Sequence, residues 1–441
     1  MSWLSRLFRR KRPEDMFIFD APDQSAPEQP WIPVAPSARE AAPATDNADK
    51  LGFSASTGTL LGGGGIQGRA DRRYRLAFTP AQPVAEVRRL AGRTALIRRI
   101  IRSIEDQDLH VVLYGDRGIG KTSVLKVIQG LATGAGYLVH YVSCGQSASF
   151  PEVMRSLARR IPLLYDGASD PTASEADSNA SLADRLPAGD FSVSQLTEVL
   201  GGVEGARILL ILDEFDRSDV EAFRRSIGEL IKNLSDRSIR VQLLIGGVAA
   251  NLSELVAHVP SIRRNIVGIG VPNLGADEVA EMVDIAELFG GIRFDALARQ
   301  RLADVSAGLP YLVGLIGQHA VLEAADAGQK WVARGHIDRA VEVACEEIAS
   351  RLSLRCNYAL DKAVAPWLIK LFERAADEAT RAGGVIIGSE LTDELKKHAS
   401  AVADILQPIA DDPRGGWRFV EDGTASLIWL RKANGAASLA A

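Results

Sequence analysis

The sequence predicts an α/β fold: a parallel sheet with helices on both faces, then a helical lid, then a small C-terminal winged-helix-like α+β domain. Three observations predict it. Short apolar runs alternate with helical patterns up to about Leu274, which is the signature of parallel strands covered on both sides. Beyond Leu274 the strand-type runs stop and helical spacing continues. Near the C-terminus, "GGWRFVEDGTASLIWLRK" alternates on either side of Asp422-Gly423, a hairpin signal. A chain of 441 residues, 46% hydrophobic, can hold two or three domains with a sizeable core.

The elements follow in order. Residues 13 to about 78 are rich in Pro, Ala, Ser and Gly; such composition cannot bury enough surface to offset its ordering entropy, so a disordered arm is expected over 1–77. From Ala95, apolar residues recur at helical spacing: Leu96, Ile97, Ile100, Ile101 and Ile104. "LHVVLYG" reads as a strand, "KTSVLKVIQGLA" as a helix, "YLVHYVSC" as a second strand, and Pro151 to about Leu164 as a helix. A polar insertion, "DGASDPTASEADSNASLADRLPAGD", reads as a mobile loop. A helix ("SVSQLTEVLGGV"), a third strand ("ARILLILDEFD"), a helix ("VEAFRRSIGELIKNLSD"), a fourth strand ("RVQLLIGGVA") and a fifth in "IVGIGVPNL" complete a core over 78–274. Four helical patterns make the lid over 275–362, and three helices with the hairpin make the winged-helix-like piece over 363–433. A short disordered tail, 434–441, ends the chain.

One motif carries chemistry. Gly115, Asp116, Arg117, Gly118, Ile119, Gly120, Lys121 and Thr122 fit G-x-x-x-x-G-K-[ST], placed after a strand and opening a helix; this is a P-loop in its confirming context. Glycines there let backbone N–H groups point inward at phosphate oxygens, and the helix N-terminus adds positive potential. Lys121 is expected to reach the β- and γ-phosphates of ATP, Thr122 to ligate Mg2+, and Ser123 to complete the loop. "ILLILDEFD" is a buried strand ending in acids at the sheet edge where open α/β folds bind ligands. Asp213 is therefore expected to hold Mg2+, directly or through water, and Glu214 to act as general base on the attacking water. Asp216 and Arg217 are read as a local ion pair.

In their order, "LAGR" (Leu90–Arg93), the P-loop, "LDEFDR", "LLIGGVA" and "PSIRR" (Pro260–Arg264) resemble AAA+ P-loop ATPases, nearest in pattern to the origin-recognition and replication-initiator branch and its bacterial relatives. The resemblance spans about residues 78–350 and implies a P-loop NTPase fold and ATP hydrolysis. It implies that Gly92 and Arg93 lie by the adenine pocket, that Asn251 stands beside the polar sensor position at Ala250, and that Arg263 or Arg264 is an arginine finger reaching a neighbouring subunit of a homo-oligomer. At the second sensing position of the lid, where the family often carries an arginine, this chain has Tyr311.

Other signals bound the function. A formal charge of −5 gives no global mark of a nucleic-acid binder, and three scattered cysteines, Cys144, Cys345 and Cys356, suit neither a disulfide framework nor a zinc site. With no apolar run of about 18 residues, a cytoplasmic protein is expected. Residues 1–12, "MSWLSRLFRRKR", would as a helix oppose Trp3, Leu4, Leu7 and Phe8 to Arg6, Arg9 and Arg10, suited to an anionic membrane surface; a basic tail is the other reading. In the C-terminal piece, Arg414, Arg418, Arg431 and Lys432 surround Trp417 and Trp429, giving a modest basic wing, while the expected recognition helix near Ala401–Ala410 has no basic residue. DNA and a protein client are both open as partners of this domain. The function read from the sequence is an Mg-ATP-hydrolysing motor acting on DNA or a DNA-bound complex, or else a nucleotide-gated switch with slow turnover and a protein partner.

Overall fold

The structure, a computed structural model, describes residues 74, 76–167, 180–218, 221–249, 262–409 and 414–435. The chain divides into two compact units, Met1–Gly63 and Gly64–Ala441, and every described residue belongs to the second. Residues 1–12, nearly all of the expected arm, Asn251, residues 168–179 of the polar insertion and most of the tail lie outside the described residues; Leu182, Ala183 and Leu186 of the insertion are buried in the core, where a mobile loop was expected.

Five strands form one parallel sheet: β1 (His110–Gly115), β2 (Leu138–Ser143), β3 (Ile208–Asp213), β4 (Val241–Val248) and β5 (Ile266–Gly270), in the order β2-β3-β4-β1-β5. Every residue of β3 is buried, which explains why its sequence is a continuous apolar run and not an alternating one. Helices cover the sheet: α1 (Thr94–Glu105), α2 (Lys121–Gly134), α3 (Phe150–Ala158), α4 (Val193–Gly201) and α5 (Glu221–Asp236). The helical spacing in α1 holds, with Ile97, Ile100, Ile101 and Ile104 all buried. Local capping sets the starts of α3 and α4: Ser149 Oγ accepts from Glu152 N at 3.3 Å, and Ser192 Oγ from Gln195 N at 3.2 Å.

Because the strands are parallel, their C-terminal ends share one edge. Ser143 is level with Asp213 and Gly115 with Val248, so the P-loop and the acidic end of β3 open onto the same crevice, with β4 between them. Gly246 of β4 permits this closeness. A Cβ there would lie 2.7 Å from Leu125 Cδ1 and 3.2 Å from Asp213 Oδ1.

Beyond β5 come α6 (Ala276–Gly290), α7 (Ala296–Ser306), α8 (Pro310–Asp326) and α9 (Arg334–Arg351). Two strands of two residues each, β6 (Arg293–Phe294) and β7 (Trp331–Val332), pair in parallel here, too short to register as a pattern in the sequence. The joint to the sheet is tight: Leu274 N donates to Gly308 O at 2.8 Å, and a Cβ on Gly308, whose φ is +72°, would lie 2.1 Å from Leu274 O.

The C-terminal part comprises α10 (Leu354–Asp361), α11 (Pro366–Arg381), α12 (Ser389–Lys397), α13 (Ala399–Val402), β8 (Leu406–Pro408), β9 (Trp417–Phe419) and α14 (Thr424–Ala433). It corrects two expectations. The antiparallel pair joins β8 to β9, and Asp422-Gly423 is not its turn; Gly423, at φ +91°, instead caps α14. After Gly423 the buried positions are Thr424, Leu427, Ile428 and Leu430, a helical spacing that a short run does not separate from alternation. The expected recognition helix near Ala401–Ala410 is only the single turn α13, followed by β8. Trp429 is on α14 and is spent on packing: its Nε1 donates to Val305 O at 2.8 Å.

His110 ties two layers at the start of β1. Its Nδ1 accepts from Leu243 N at 2.9 Å, its Nε2 lies 3.2 Å from Ser235 Oγ, and burial pushes the imidazole down to about 4. The folded value lies below the unfolded one of about 6.5, so this contribution to stability is full above pH 6.5 and is lost as pH falls towards 4. Denaturant unfolding at a series of pH values should show stability falling through this window, about 3 kcal/mol of it from His110. The His110 ring resonances should stay fixed between pH 7 and 5; a titration there contradicts the assignment.

Candidate nucleotide-binding site

The loop between β1 and α2 is shaped by glycines. Gly118 and Gly120 have φ of +78° and +93°, a region costly for residues with a Cβ. At Gly118 a Cβ would also lie 2.9 Å from Tyr311 Cβ, so the loop and α8 touch where only hydrogen fits. No side chain caps α2 and its first turn has no acid, so its first N–H groups are available to an anion. Lys121 is buried and folds back on the loop, with Nζ donating to Gly115 O at 2.9 Å and Asp116 O at 2.8 Å. Burial pulls its pKa below the usual lysine range, opposed by Asp116, Asp216 and Asp213.

The acidic edge is built by β2 and β3 together. Asp213 Oδ2 accepts from Tyr141 OH at 2.6 Å, and Oδ1 accepts from Glu214 N at 2.8 Å. Burial and then Asp213 itself hold the Tyr141 phenol above its ordinary range, so it stays a donor. Glu214 sits in the left-handed region at φ +54°, a strained place for this residue that turns its carboxylate out of the strand line. Its Oε2 accepts from Ser143 Oγ at 3.0 Å and from Arg217 Nη1 at 3.1 Å. Arg217 therefore pairs with Glu214 and not with Asp216, because the turn after β3 brings residues three apart together. Asp216 Oδ1 instead accepts from Val248 N at 2.7 Å at the end of β4. Cys144 is pushed up to about 12 by burial and then by Asp213, so its thiol stays neutral.

Lys121, Asp213, Glu214, Asp216 and Arg217 line a cavity of about 490 Å³, within the range of small-molecule sites. Gly118, Gly120, Lys121, Thr122, Asp213 and Glu214 line it together with Phe78–Val84, Met282, Ile285 and Gly314. Ser123 lines it too, with Oγ accepting from Val84 N at 3.1 Å. Tyr311 is on the wall and its N donates to Gly118 O at 3.2 Å.

Several expected residues sit elsewhere. Gly92 and Arg93 are not on the cavity wall. Arg93 is buried behind the loop, with Nη2 donating to Ile119 O at 3.3 Å and Pro272 O at 2.8 Å, and Gly92 N donates to Glu281 Oε2 at 2.9 Å. Ile119 is a core side chain. Arg263 and Arg264 are exposed on the turn before β5, at the sheet edge away from the P-loop, and Arg264 Nη2 lies 3.6 Å from Asp236 Oδ1. Neither is on the wall of this cavity.

Two residues that sequence reasoning tied only to the loop reach the C-terminal part. Arg117 forms an ion pair through Nη1 with Asp422 Oδ2, and Asp422 is itself on the cavity wall. Asp116 packs on Gly384, where a Cβ would lie 2.7 Å from its Cγ, and burial raises its pKa. Tyr141, Ser143 and Asp422 were not predicted as site residues. Their nearness to Asp213, Glu214 and Arg117 depends on strand register and on chain packing over long sequence separations.

A family model described as an AAA ATPase domain matches residues 89–245. Comparison with curated proteins finds no match. Among solved structures, the chain is similar to the ORC1 protein of Aeropyrum pernix in complex with DNA, at 16% identity and TM-score 0.42, covering 78% of this chain and 93% of that one. It is similar to the RuvB Holliday junction branch migration motor of Thermotoga maritima at 14% identity and TM-score 0.40, covering 76% and 95%. A Walker-type ATPase of Pyrococcus abyssi matches at 13% identity and TM-score 0.47, covering 79% and 98%. The residues that match the AAA ATPase domain model, 89–245, hold both the P-loop and the acidic end of β3.

Proposed function

We propose that the cavity binds Mg-ATP and hydrolyses it, and that the C-terminal part carries the output. One observation carries the reading: Lys121 and the Asp213–Glu214 pair, from separate parts of the chain, converge on one cavity beside a loop whose Gly118 and Gly120 have positive φ. The donor set suits the ligand. Loop and α2 N–H groups with Lys121 would hold phosphate oxygens, while Thr122 and Asp213 are the oxygen donors suited to Mg2+, which when bound would neutralise charge on the triphosphate. Glu214 would take a proton from the attacking water, with Ser143 and Arg217 holding its carboxylate. Arg263 or Arg264 would serve a neighbouring subunit, since both are far from their own site. Asn251 stays the candidate for orienting water.

Two outputs remain distinct. In the first, an oligomer acts on DNA or a DNA-bound complex. The C-terminal order supports it: α11, a bridge at Ile386 to Trp417, α12, α13 and the β8-β9 pair follow a winged-helix-like course. In the second, the protein is a nucleotide-gated switch with a protein partner. The Arg117–Asp422 pair favours this one, because it places a carboxylate of the C-terminal part on the wall that would receive the phosphates.

Lys121→Ala should lose measurable binding of a fluorescent ATP analogue, whereas Glu214→Gln should keep it and lose about 10² or more in turnover. Turnover within about threefold of the parent would remove Glu214 from the base role.

The finger is tested by mixing. Arg263→Ala or Arg264→Ala should bind ATP and hydrolyse it poorly, and adding the Lys121→Ala protein should restore some activity, because each subunit supplies what the other lacks. Full activity in a proven monomer contradicts the assembly.

Asp422→Asn should tighten ATP binding by roughly fivefold or less, the scale of one screened unit charge at contact. The gain should shrink at high salt. Equal affinity at low salt would show that Asp422 does not oppose the phosphates.

A further inference from the structure

We propose that Tyr141 is a positioning residue for the metal-ligating carboxylate, locking Asp213 in a single orientation through its phenol. The inference rests on the reading of Asp213 as the Mg2+ ligand. Tyr141 lies on β2, level with Ile211 on β3, and so reaches one pleat forward to the end of its neighbour. Its OH donates to Asp213 Oδ2 at 2.6 Å, while Glu214 N donates to Oδ1 at 2.8 Å. Donors on both oxygens fix both side-chain torsions of the aspartate. A carboxylate offers about four lone-pair positions, so two remain for a metal or its water.

The phenol is itself held. Lys126 of α2 places Nζ 3.2 Å from the Tyr141 ring centroid. A cation over the ring face draws electron density from it and strengthens the hydroxyl as a donor. Lys126 lies on the same helix that Lys121 opens, so the phosphate loop and the Asp213 carboxylate are joined through one aromatic ring. Glu214 N cannot replace the phenol, because it serves Oδ1. A carboxylate freed at Oδ2 would sample other rotamers, and ligand-orienting partners of this kind typically change metal affinity by about 10- to 100-fold.

The test compares nucleotide binding with and without Mg2+, using a fluorescent ATP analogue in EDTA and then in an Mg2+ titration. Tyr141→Phe should bind the analogue in EDTA within about twofold of the parent, yet need about tenfold more Mg2+ for half-saturation. The thermal shift that Mg2+ adds to nucleotide-bound protein should shrink in parallel. Lys126→Met, which keeps the aliphatic stem, should move the Mg2+ midpoint in the same direction by less, and it serves if Tyr141→Phe does not fold. Asp213→Asn should abolish the Mg2+-dependent gain. If it does and Tyr141→Phe leaves the midpoint unchanged, the positioning role is overturned while the metal-ligand reading stands. If Asp213→Asn leaves the Mg2+ gain intact, the metal-ligand reading fails and takes the positioning role with it. Equal weakening in EDTA and Mg2+ would make Tyr141 merely structural and overturn the proposal.

Discussion

A buried ammonium organises the site. Lys121 lies in the crevice at the C-terminal edge of the sheet, and burial of its charge is tolerable only because two loop carbonyls accept from it and Asp116, Asp213 and Asp216 surround it. Each of these partners depends on a separate feature. The carbonyls need glycines that let the loop curl, Asp213 needs β3 to end level with the loop, and Asp216 is held by the end of β4. The charged wall of the cavity carries Arg89, Arg117, Lys121 and Arg217 against Asp213, Glu214, Asp216 and Asp422, four of each sign. Such a wall has no net attraction for a polyanion. On the proposed reading, attraction would have to come from directed groups, meaning the N–H groups of the loop and helix, and from a divalent ion at the carboxylates.

What was legible in the sequence follows from the range of each constraint. The P-loop is a local object: its glycines, lysine and threonine are contiguous, and the strand before it and helix after it show as short patterns. The five strands were legible because a sheet covered on both faces forces nearly every residue to be apolar, as in Ile208–Asp213. The Asp422-Gly423 pair was misread for an equally physical reason. Gly423 supplies a positive φ that suits a hairpin turn and a helix start alike, and only the packing of Leu427, Ile428 and Leu430 decides for the helix. Tyr141 was illegible because it becomes a partner of Asp213 only through the β2-β3 register, across 72 residues of chain. Arg93 illustrates the reverse: a residue type suited to phosphate or base contact is spent on two carbonyls behind the loop.

The P-loop is held from two directions that meet. On one side Tyr311 N donates to Gly118 O, and Arg351, at the end of α9, donates to the Tyr311 hydroxyl. Two residues on, Ser353 N donates to Glu421 Oε2 at 2.7 Å. Glu421 precedes Asp422, which returns to the loop at Arg117. Helices α8 and α9, the C-terminal part and the P-loop therefore form a closed ring of contacts beside the cavity. The ring's ion pair is more than half exposed on both sides, at 59% and 58%, so it is worth at most about 1 kcal/mol in water. A contact that weak does not hold the fold together, and its value lies in being exchangeable. On the proposed nucleotide-binding reading, a phosphate at Arg117 would compete with Asp422, and a change at the loop would reach a residue 305 positions away in sequence.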